Sequence, residues 1–256
     1  MPRSIWNGTI TFGMVNVPIK LYSAIESKTV HFHEIHLKDG ARIEHRRICP
    51  REDEEVPYED IVKGFEVSEG TYVVLDEDEL KAAAGDRGKT IHLREFVEVE
   101  SIDPVFYERT YYVGSRDEEH AYRLLLEALS RSKRAGIGRF SFHDREYLVA
   151  VRAGDRVLVL HTLRFHDEVV AAHELEVEGG GRKPSAREVK MAGQLVSTLA
   201  AGFKAADYED GYRDGVLDLI KRKAKGEEID LVAQEEPEHG DDLAAALQAS
   251  LAGARS

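Results

Sequence analysis

The 256-residue chain has one cysteine, Cys49, and one tryptophan, and only 8% of its residues are aromatic. A single cysteine excludes a disulfide within the chain, which favours a reducing compartment. Apolar runs are short: none at the start has the length of a signal peptide, and no later run could span a bilayer. These absences predict a soluble protein of the cytoplasm that has no membrane partner.

The motifs of common catalytic sites are also missing. The sequence contains no G-x-S-x-G, no Walker-type loop and no H-E-x-x-H. The glycines at 179–181 lack the lysine of a phosphate-binding loop, and capping of a helix explains the acidic run 76–79. We therefore predict that the chain is not an enzyme, has no catalytic residues and needs no cofactor.

A metal site is the first alternative, because four histidines precede the cysteine in a short stretch: His31, His33, His36 and His45. A structural zinc site needs four ligands, usually in two close pairs. No second cysteine follows Cys49 at short spacing, and Glu52 stands where a C-x-x-C would place it. We predict no bound metal. A metal-dependent nuclease or phosphoesterase built on the histidines and carboxylates is the competing hypothesis.

Acidic residues outnumber basic ones, giving a net charge of −13, but the charge is distributed unevenly. Segments 66–130 and 226–256 carry net charges of −9 and −7, whereas 1–65 carries −1 and 131–225 carries +4. A basic surface can therefore come from the first and third segments. Basic residues spread over several elements suit contact with a phosphate backbone without base readout. An ordinary mixed surface is the alternative interpretation.

One basic cluster lies in and beside the stretch ARIEHRRICPREDEEVPYED at 41–60, and its members are Lys38, Arg42, Arg46, Arg47 and Arg51. A second follows the end of a predicted helix and consists of Lys133, Arg134 and Arg139. The sequence contains no recognition-helix pattern and no RNP-like aromatic motif. The clusters alone therefore leave two hypotheses open, a nucleic-acid surface and a solvated charged face.

Apolar periodicity predicts mainly short strands, followed by helices. Two strands are expected in 4–26, where the inward parity switches at Gly13, so that a bulge or sharp bend is predicted there. The turn KDG separates two more predicted strands, 30–37 and 41–49. Others are predicted at 71–75 (buried), 90–99, 109–113, 137–142, 146–152 and 156–164. Helices are predicted at 115–133 (capped by Ser115, with Ala121, Leu124, Leu125 and Leu129 on its packed face), 185–201 and 210–225. This order favours an α+β protein with a β-barrel core and a C-terminal helical arm.

Several long segments resemble the bacterial Ku proteins, in the same order along the chain. They are SIWNGTITFGMVNVPIKLYSA, VPYEDIVKGFEVSEGTYVVLDEDEL, AYRLLLEALSRSKRAGIGRF, REYLVAVR and LRFHDEV. The resemblance covers about residues 3–225. It implies a Ku core over 1–225 with a SPOC-like barrel, an extended bridge hairpin at about 31–70 and a helical arm at about 184–225.

The resemblance also implies a function in non-homologous end joining, the repair of DNA double-strand breaks. Two identical chains would close a ring round a double-stranded DNA end without reading its sequence. The bridge hairpin would reach roughly 60 Å at ~3.3 Å per residue. Its phosphate contacts would be Lys38, Arg42, Arg46, Arg47 and Arg51, and weaker ones would be Lys133, Arg134 and Arg139. The acids at 52–55 would point outward or pair with arginines of the partner chain.

The C-terminal segment 226–256 resembles the region through which bacterial Ku recruits the ATP-dependent DNA ligase D. The residues expected to bind the ligase are spaced four apart on a short amphipathic helix: Leu243, Leu247 and Leu251. A disordered acidic tail is the alternative. Many relatives carry a C-x-x-C pair at the bridge, which is reduced here to Cys49. The resemblance further implies a bacterial cytoplasmic protein associated with the nucleoid.

Overall fold

The computed structural model describes residues 3–83, 89–142, 145–175, 183–227 and 250. The chain forms two compact units. One comprises Met1–Ser27 and His33–Glu174, and the other comprises Lys28–Phe32 and Leu175–Ser256. The predicted tail, 226–256, lies almost entirely outside the described residues.

The described residues form eleven strands and four α-helices, joined by loops and single turns of 3-10 helix. The strands are β1 (Trp6–Phe12), β2 (Val15–Ser23), β3 (Ile48–Cys49), β4 (Glu54–Glu55), β5 (Lys63–Ser68), β6 (Thr71–Leu75), β7 (Thr90–Glu98), β8 (Tyr107–Ser115), β9 (Arg134–Phe142), β10 (Arg145–Ala153) and β11 (Leu158–Leu163). The helices are α1 (Glu77–Ala83), α2 (Glu119–Ser132), α3 (Ala186–Thr198) and α4 (Gly211–Ala224).

Seven of the strands close into a barrel, in the order β1–β2–β8–β11–β10–β9–β7. Neighbouring strands pair antiparallel, except that β1 pairs parallel with β7, Thr9–Phe12 against Thr90–Leu93. Closure leaves this sheet without an open edge. The predicted α+β fold with a β-barrel core is therefore confirmed.

The first two strands form a hairpin in which the buried positions change parity. Ile10 on β1 and Val17 on β2 are both completely buried. The change occurs in a two-residue loop, Gly13–Met14, where Gly13 takes a φ of 57°. Glycine at the first position of such a loop suits a type II′ turn, whose twist matches that of the strands. The bend predicted at Gly13 is confirmed, and it is a tight turn without a bulge because the β1–β2 register is unbroken.

Helix α2 packs one face into the main apolar cluster of the barrel. Leu125 and Leu129 are buried there among the inward side chains of the strands. The hydroxyl of Tyr122 donates to the carbonyl of Val113 at 2.6 Å and accepts from the backbone N–H of Leu158 at 2.9 Å. The hydroxyl therefore joins the helix to β8 and β11, and its hydrogen bonds satisfy a polar group that is otherwise costly to bury.

The predicted start of α2 was wrong. Ser115 is the last residue of β8 instead of a helix cap, because β8 stays paired with β2 up to the partner Ile19. The helix begins later, at Glu119, without a side-chain cap. Leu124 was predicted on the packed face but is 54% exposed, and Tyr122 occupies the buried position instead.

A glycine allows β7 and β9 to approach closely on the barrel wall. A Cβ at Gly138 would overlap the backbone carbonyl of His92. The obstructing atom belongs to the backbone, so it cannot move aside as the end of a side chain would. This position therefore excludes every larger residue unless the two strands separate.

After β2 the chain leaves the barrel, and residues 24–75 are called the excursion below. Barrel strands resume only at Thr90, so the segment outside the barrel is longer than the predicted bridge at 31–70. The strands predicted at 30–37 and 41–49 were wrong. The described backbone there has a single isolated bridge pair, Ile35 with Arg42, around the predicted turn, and the short strand β3. Few paired residues mean that local turns shape this part of the excursion.

The excursion ends in a two-stranded ribbon formed by β5 and β6. The strand at 71–75 was predicted to be buried, but every residue of β5 is exposed, and so is every residue of β6 except the half-buried Leu75. The prediction of burial was wrong because these apolar side chains have no covering layer within the described part of this unit.

Two helices begin with capping boxes, and the sequence predicted the one at α1. At α1 the backbone N–H of Glu79 donates to Asp76 at 2.7 Å and that of Asp76 donates to Glu79 at 2.9 Å. At α3, in the second unit, Ser185 and Glu188 cap each other in the same way. The helices predicted at 185–201 and 210–225 are thereby confirmed as α3 and α4 with shorter bounds.

Candidate nucleic-acid interface

Two adjacent arginines line a depression of about 380 Å³ on the excursion. Pairing between β3 and β4 positions them, and just beyond it the backbone N–H of Val56 donates to the carbonyl of Arg47 at 2.8 Å. Arg46 and Arg47 share the depression with His45 and Tyr58. Its walls therefore present two guanidinium groups and an aromatic ring.

The two arginines have different neighbours. The guanidinium carbon of Arg47 lies 5.3 Å from the ring centre of Tyr58, in the range of a cation–π contact. Nη1 of Arg46 lies 3.4 Å from a carboxylate oxygen of Glu55. An exposed ion pair of this kind contributes about 0–1 kcal/mol. An incoming phosphate can therefore displace the Glu55 carboxylate at little cost.

Lys38 and Arg42 flank the first turn of the excursion. Asp39 organises this turn by accepting hydrogen bonds from the backbone N–H of Ala41 and from the ring of His36, both at 3.0 Å. The Ala41 N–H, and then His36, lower the pKa of Asp39 below its ordinary value. Within the described residues, neither Lys38 nor Arg42 has a carboxylate partner within 4 Å. Both cations are available to an anionic partner.

Arg51 lies in the turn between β3 and β4, next to the acids at 52–55. All five side chains are exposed, and Asp53 takes a φ of 56° that tightens the turn. Their exposure agrees with the expectation that these acids point outward. Glu55 also pairs with Arg46 of its own chain. One of the predicted cations is therefore already paired within its own chain.

The cations predicted on the barrel do not form one group. Arg134 and Arg139 are an odd number of positions apart on β9, so their side chains leave opposite faces of the strand. Arg139 forms an ion pair with Glu146 at 2.9 Å, and its guanidinium lies 5.8 Å from the ring centre of Phe165. Lys133 and Arg134 instead line a cavity at the end of α2. Arg139 is thus already paired with a carboxylate, whereas Lys133 and Arg134 lie together in a separate cavity.

The barrel and the excursion that leaves it match a known family. Residues 11–191 match the family model described as the Ku70/Ku80 beta-barrel domain. The chain belongs to the Ku family. The match includes six barrel strands in full, the last two residues of β1, and the whole of the excursion. The resemblance drawn from the sequence segments is therefore confirmed.

Bacterial Ku proteins are similar to this chain along nearly its whole length. "Non-homologous end joining protein Ku" of Anaeromyxobacter sp. (strain K) is 45% identical over 259 residues, which cover 100% of this chain and 87% of the relative. The protein of the same name from Solibacter usitatus (strain Ellin6076) is 38% identical over 257 residues, covering 100% and 96%. "Non-homologous end joining protein Ku 1" of Saccharopolyspora erythraea is 38% identical over 259 residues, covering 100% and 80%.

Two residues of this Ku chain that the sequence analysis missed lie beside predicted cations. Tyr58 contacts Arg47 across the β3–β4 hairpin, and only the pairing of those short strands reveals the contact. Arg152, at the end of β10, lines the same cavity as Lys133 and Arg134. The available signal for Arg152 was a charged residue directly after the apolar run LVAV of its strand.

A buried histidine holds Arg152 in place. Nε of Arg152 donates to Nε2 of His161 at 3.0 Å, and Nδ1 of His161 lies 3.0 Å from the hydroxyl of Thr110. Because a guanidinium only donates, Nε2 is unprotonated and Nδ1 carries the hydrogen. Burial, and then the charge of Arg152, lower the pKa of His161 to about 4. The ring also makes an edge contact with Tyr107 at 4.8 Å between centres.

The histidines of the competing metal hypothesis have other partners. His36 is hydrogen-bonded to Asp39, and Nε2 of His45 lies 3.1 Å from a carboxylate oxygen of Glu34. Across the described residues, no group of three or more His, Cys, Asp or Glu side chains is placed to hold a metal ion. Among the described helices of this Ku chain, none combines the length and apolar character needed to cross a membrane.

Proposed function

We propose that this chain is a non-homologous end joining protein that binds the ends of double-stranded DNA as a ring-shaped homodimer. Its relatives carry the name of that process, and the family match includes both the barrel and the excursion. The observation that carries the proposal is the set of exposed cations on the excursion, in a chain whose net charge is −13. The protein acts by binding and not by catalysis.

In this proposal the excursion is the bridge over the duplex. Lys38, Arg42 and Arg51 are exposed on its turns, while Arg46 and Arg47 share one depression. Cations placed on separate turns contact phosphates along a backbone and do not converge on one base edge. The binding is therefore independent of base sequence and weakens steeply as salt concentration rises.

The barrel supplies further phosphate contacts through Lys133 and Arg134. Neither has a carboxylate within 4 Å in the part of the chain that the structure describes. Arg139 contributes less, because its ion pair with Glu146 is shorter than that of Arg46 with Glu55, 2.9 Å against 3.4 Å. DNA would have to compete with that carboxylate, which reduces the net gain from a phosphate contact.

A second copy of the chain completes the ring and covers the ribbon formed by β5 and β6. Phe65 and Val73 are cross-strand partners on one face of the ribbon, and Tyr72 and Val74 lie on the opposite face. All four are exposed, Phe65 by 68%. An isolated two-stranded ribbon is at most marginally stable in water, and exposed apolar side chains on both of its faces favour a partner that covers them. The second chain provides the layer that the ribbon lacks.

A ring explains the selection of DNA ends without any chemistry that recognises them. A duplex enters a closed ring only where it has a free end, so loading depends on topology. Electrostatic attraction then holds the ring on the backbone and allows it to move along the duplex. The free energy comes from released counterions and not from sequence-specific contacts.

The C-terminal segment recruits the ATP-dependent ligase D in this proposal. The residues that would bind it lie outside the described residues: Leu243, Leu247 and Leu251. Their four-residue spacing gives one apolar stripe on a helix. A helix this short is marginal alone, so it would fold as it binds the ligase.

The decisive experiment compares linear duplex DNA with covalently closed circles of the same sequence. We expect gel-shifted complexes with the linear DNA and almost none with the circles. Blocking both ends of the linear DNA with bulky groups should abolish loading. Equal binding to open and closed molecules would contradict the ring.

A double variant tests the bridge. R46Q/R47Q should bind linear DNA more weakly and lower the slope of log affinity against log salt by about 2, close to 0.9 for each lost phosphate contact. The matched control is R116Q/R123Q, which removes two arginines that already pair with Asp117 and Glu119. An unchanged affinity of R46Q/R47Q would contradict the proposal that the excursion is the bridge over DNA.

A further inference from the structure

A cavity of about 250 Å³ lies where α2 ends, β9 begins and β10 ends. Its walls contain three basic side chains, those of Lys133, Arg134 and Arg152, against one acidic side chain, that of Asp155. The volume is below the roughly 300–1,000 Å³ of sites for drug-sized ligands. The cavity therefore suits a small anionic group.

The backbone fixes the first two cations. Lys133 ends α2 in the left-handed conformation with a φ of 53°, and its carbonyl accepts a hydrogen bond from the backbone N–H of Val99 at 3.3 Å. Arg134 follows as the first residue of β9, in register with Glu98 of β7. The backbone of the two residues is thus held between a helix end and a barrel strand, so it loses little conformational entropy when they bind a ligand.

Arg152 reaches the cavity from a different strand and is held on two sides. Its Nε donates to Nε2 of His161 at 3.0 Å, and its Nη1 donates to the carbonyl of Ala153 at 3.1 Å. As far as the structure describes the chain, Nη2 has no protein partner. The guanidinium is pre-organised, with one nitrogen left to bind a ligand.

Among the described residues, none of the three cations of the cavity is in an ion pair. Eight other described arginines lie within 4 Å of a carboxylate: Arg46, Arg116, Arg123, Arg131, Arg139, Arg145, Arg213 and Arg222. By contrast, no described carboxylate lies within that distance of Lys133, Arg134 or Arg152. The negative end of the α2 dipole amounts to roughly half a charge, which one cation balances. Arg152 bonds to His161 and not to the helix carbonyls, so the dipole does not account for it.

We propose that Lys133, Arg134 and Arg152 form a phosphate-binding site at the end of α2, with His161 as the residue that positions Arg152. A phosphate group matches three converging cations and accepts hydrogen bonds from a guanidinium and an ammonium together. The phosphate belongs to the DNA backbone if the proposed function holds, since the proposal of DNA as the source rests on it. A free phosphoryl group offers the same chemistry.

The experiment uses the full-length chain, two variants and a control. R152Q removes the guanidinium that His161 positions. K133N removes a cation at a position where asparagine tolerates the left-handed backbone, so it keeps the proposal testable should R152Q unfold. The control, R156Q, changes the same charge in the β10–β11 turn, at an exposed residue that does not line the cavity.

The first measurement is thermal unfolding in inorganic phosphate against chloride at equal ionic strength. We expect phosphate to raise the Tm of the wild type and of R156Q, because a ligand that binds only the folded state stabilises it, but not that of R152Q or K133N. The second is the salt dependence of binding to linear duplex DNA. The slope should fall by about 1 in R152Q and K133N and stay unchanged in R156Q.

The two measurements separate the sources of the phosphate. Loss of both effects in R152Q and K133N supports a DNA phosphate. Loss of phosphate stabilisation alone supports the site with a free phosphoryl group as its ligand. If phosphate does not stabilise the wild type and neither variant changes the slope, the site does not exist. If the wild type binds no DNA, the proposed function fails, while the thermal measurement still decides the site.

Discussion

The guanidinium of Arg47 lies over the ring of Tyr58, with its carbon 5.3 Å from the ring centre. The contact forms across the β3–β4 hairpin, which brings the two residues into one depression. Tyr58 is 78% exposed, so burial of apolar area does not explain its place. Its ring instead limits the conformations open to a long, flexible arginine that is proposed to contact DNA.

Y58A should weaken the binding of linear DNA about two- to fivefold, because an exposed cation–π contact contributes roughly 0.5–1 kcal/mol. Arg47 keeps its charge, so the slope of affinity against salt should not change. Fluorescence anisotropy with a labelled duplex measures both quantities. Y58F is the matched control and should bind as the wild type does. Equal losses in Y58A and Y58F would show that the hydroxyl, and not the ring, matters.

Glu55 should lower the affinity for DNA. It pairs with Arg46 at 3.4 Å in an exposed position, and DNA must displace it. E55Q should therefore raise affinity, by up to about fivefold for a pair of this kind, and steepen the salt dependence. E54Q changes the same charge on the neighbouring residue, which is exposed and has no arginine within 4 Å among the described residues. A similar gain in affinity in E54Q would show that the gain comes from the change in net charge and not from the loss of the Arg46–Glu55 pair.

Local sequence signals predicted much of this fold. The parity switch at Gly13 and the capping box of Asp76 with Glu79 depend on neighbouring residues alone, and both are present in the structure. The cap at Ser115 failed because a distant strand, β2, extends β8 through that residue. Long-range pairing thus overrode a local preference.

The candidate site was less predictable than the fold, because the type of a residue does not show whether its charge is already paired with a carboxylate. Arg46, Arg47 and Arg139 are equivalent in a list of cations. Only the pairing of the strands shows that Glu55 and Glu146 already bind two of them. Arg152 escaped notice for the same reason, since its cavity joins elements distant in sequence.

The lowered pKa of His161 predicts how the stability of the barrel depends on pH. Its pKa is lowered from 6.5 to about 4 in the folded chain, so the unfolded chain binds more protons between those values. Stability is therefore complete above pH 6.5 and falls as the pH drops towards 4, by up to about 3 kcal/mol from this group. Urea unfolding followed by the fluorescence of Trp6, which packs against the barrel core, measures the change.

H161Q isolates that contribution, because glutamine does not titrate and its carbonyl can still accept from Arg152. Its free energy of unfolding should fall less than that of the wild type between pH 7 and pH 4.5. Identical pH profiles for the two proteins would show that His161 does not determine the acid sensitivity. The comparison needs no assumption about the other histidines, since both proteins contain them.

Gly138 should tolerate no side chain. In G138A the added methyl group would meet the backbone carbonyl of His92, so we expect a loss of ~1–3 kcal/mol in the free energy of unfolding. Trp6 fluorescence in urea again reports on the barrel. The control is G193A on α3, where a Cβ meets nothing within 4 Å. It should be neutral or stabilising by about 0.5–1 kcal/mol, as measured by circular dichroism.

In the proposed homodimer, the ribbon of β5 and β6 should hold the two copies of the chain together. Phe65 is 68% exposed and is the cross-strand partner of Val73, which is 47% exposed. F65D places a charge where the second chain would pack. Because burying a phenylalanine stabilises by roughly 1.5–3 kcal/mol, the dissociation constant of the homodimer should rise about tenfold or more. Sedimentation equilibrium over a dilution series measures it.

M14D is the control for the ribbon, since Met14 is an equally apolar residue that is 98% exposed on the β1–β2 turn. It should leave the homodimer intact. The same F65D protein also links assembly to end selection. A monomer keeps the cations of the excursion but cannot encircle a duplex, so it should bind linear DNA and closed circles equally weakly. An F65D protein that stays dimeric would place the interface elsewhere, and a monomer that still prefers free ends would show that end selection does not require a ring.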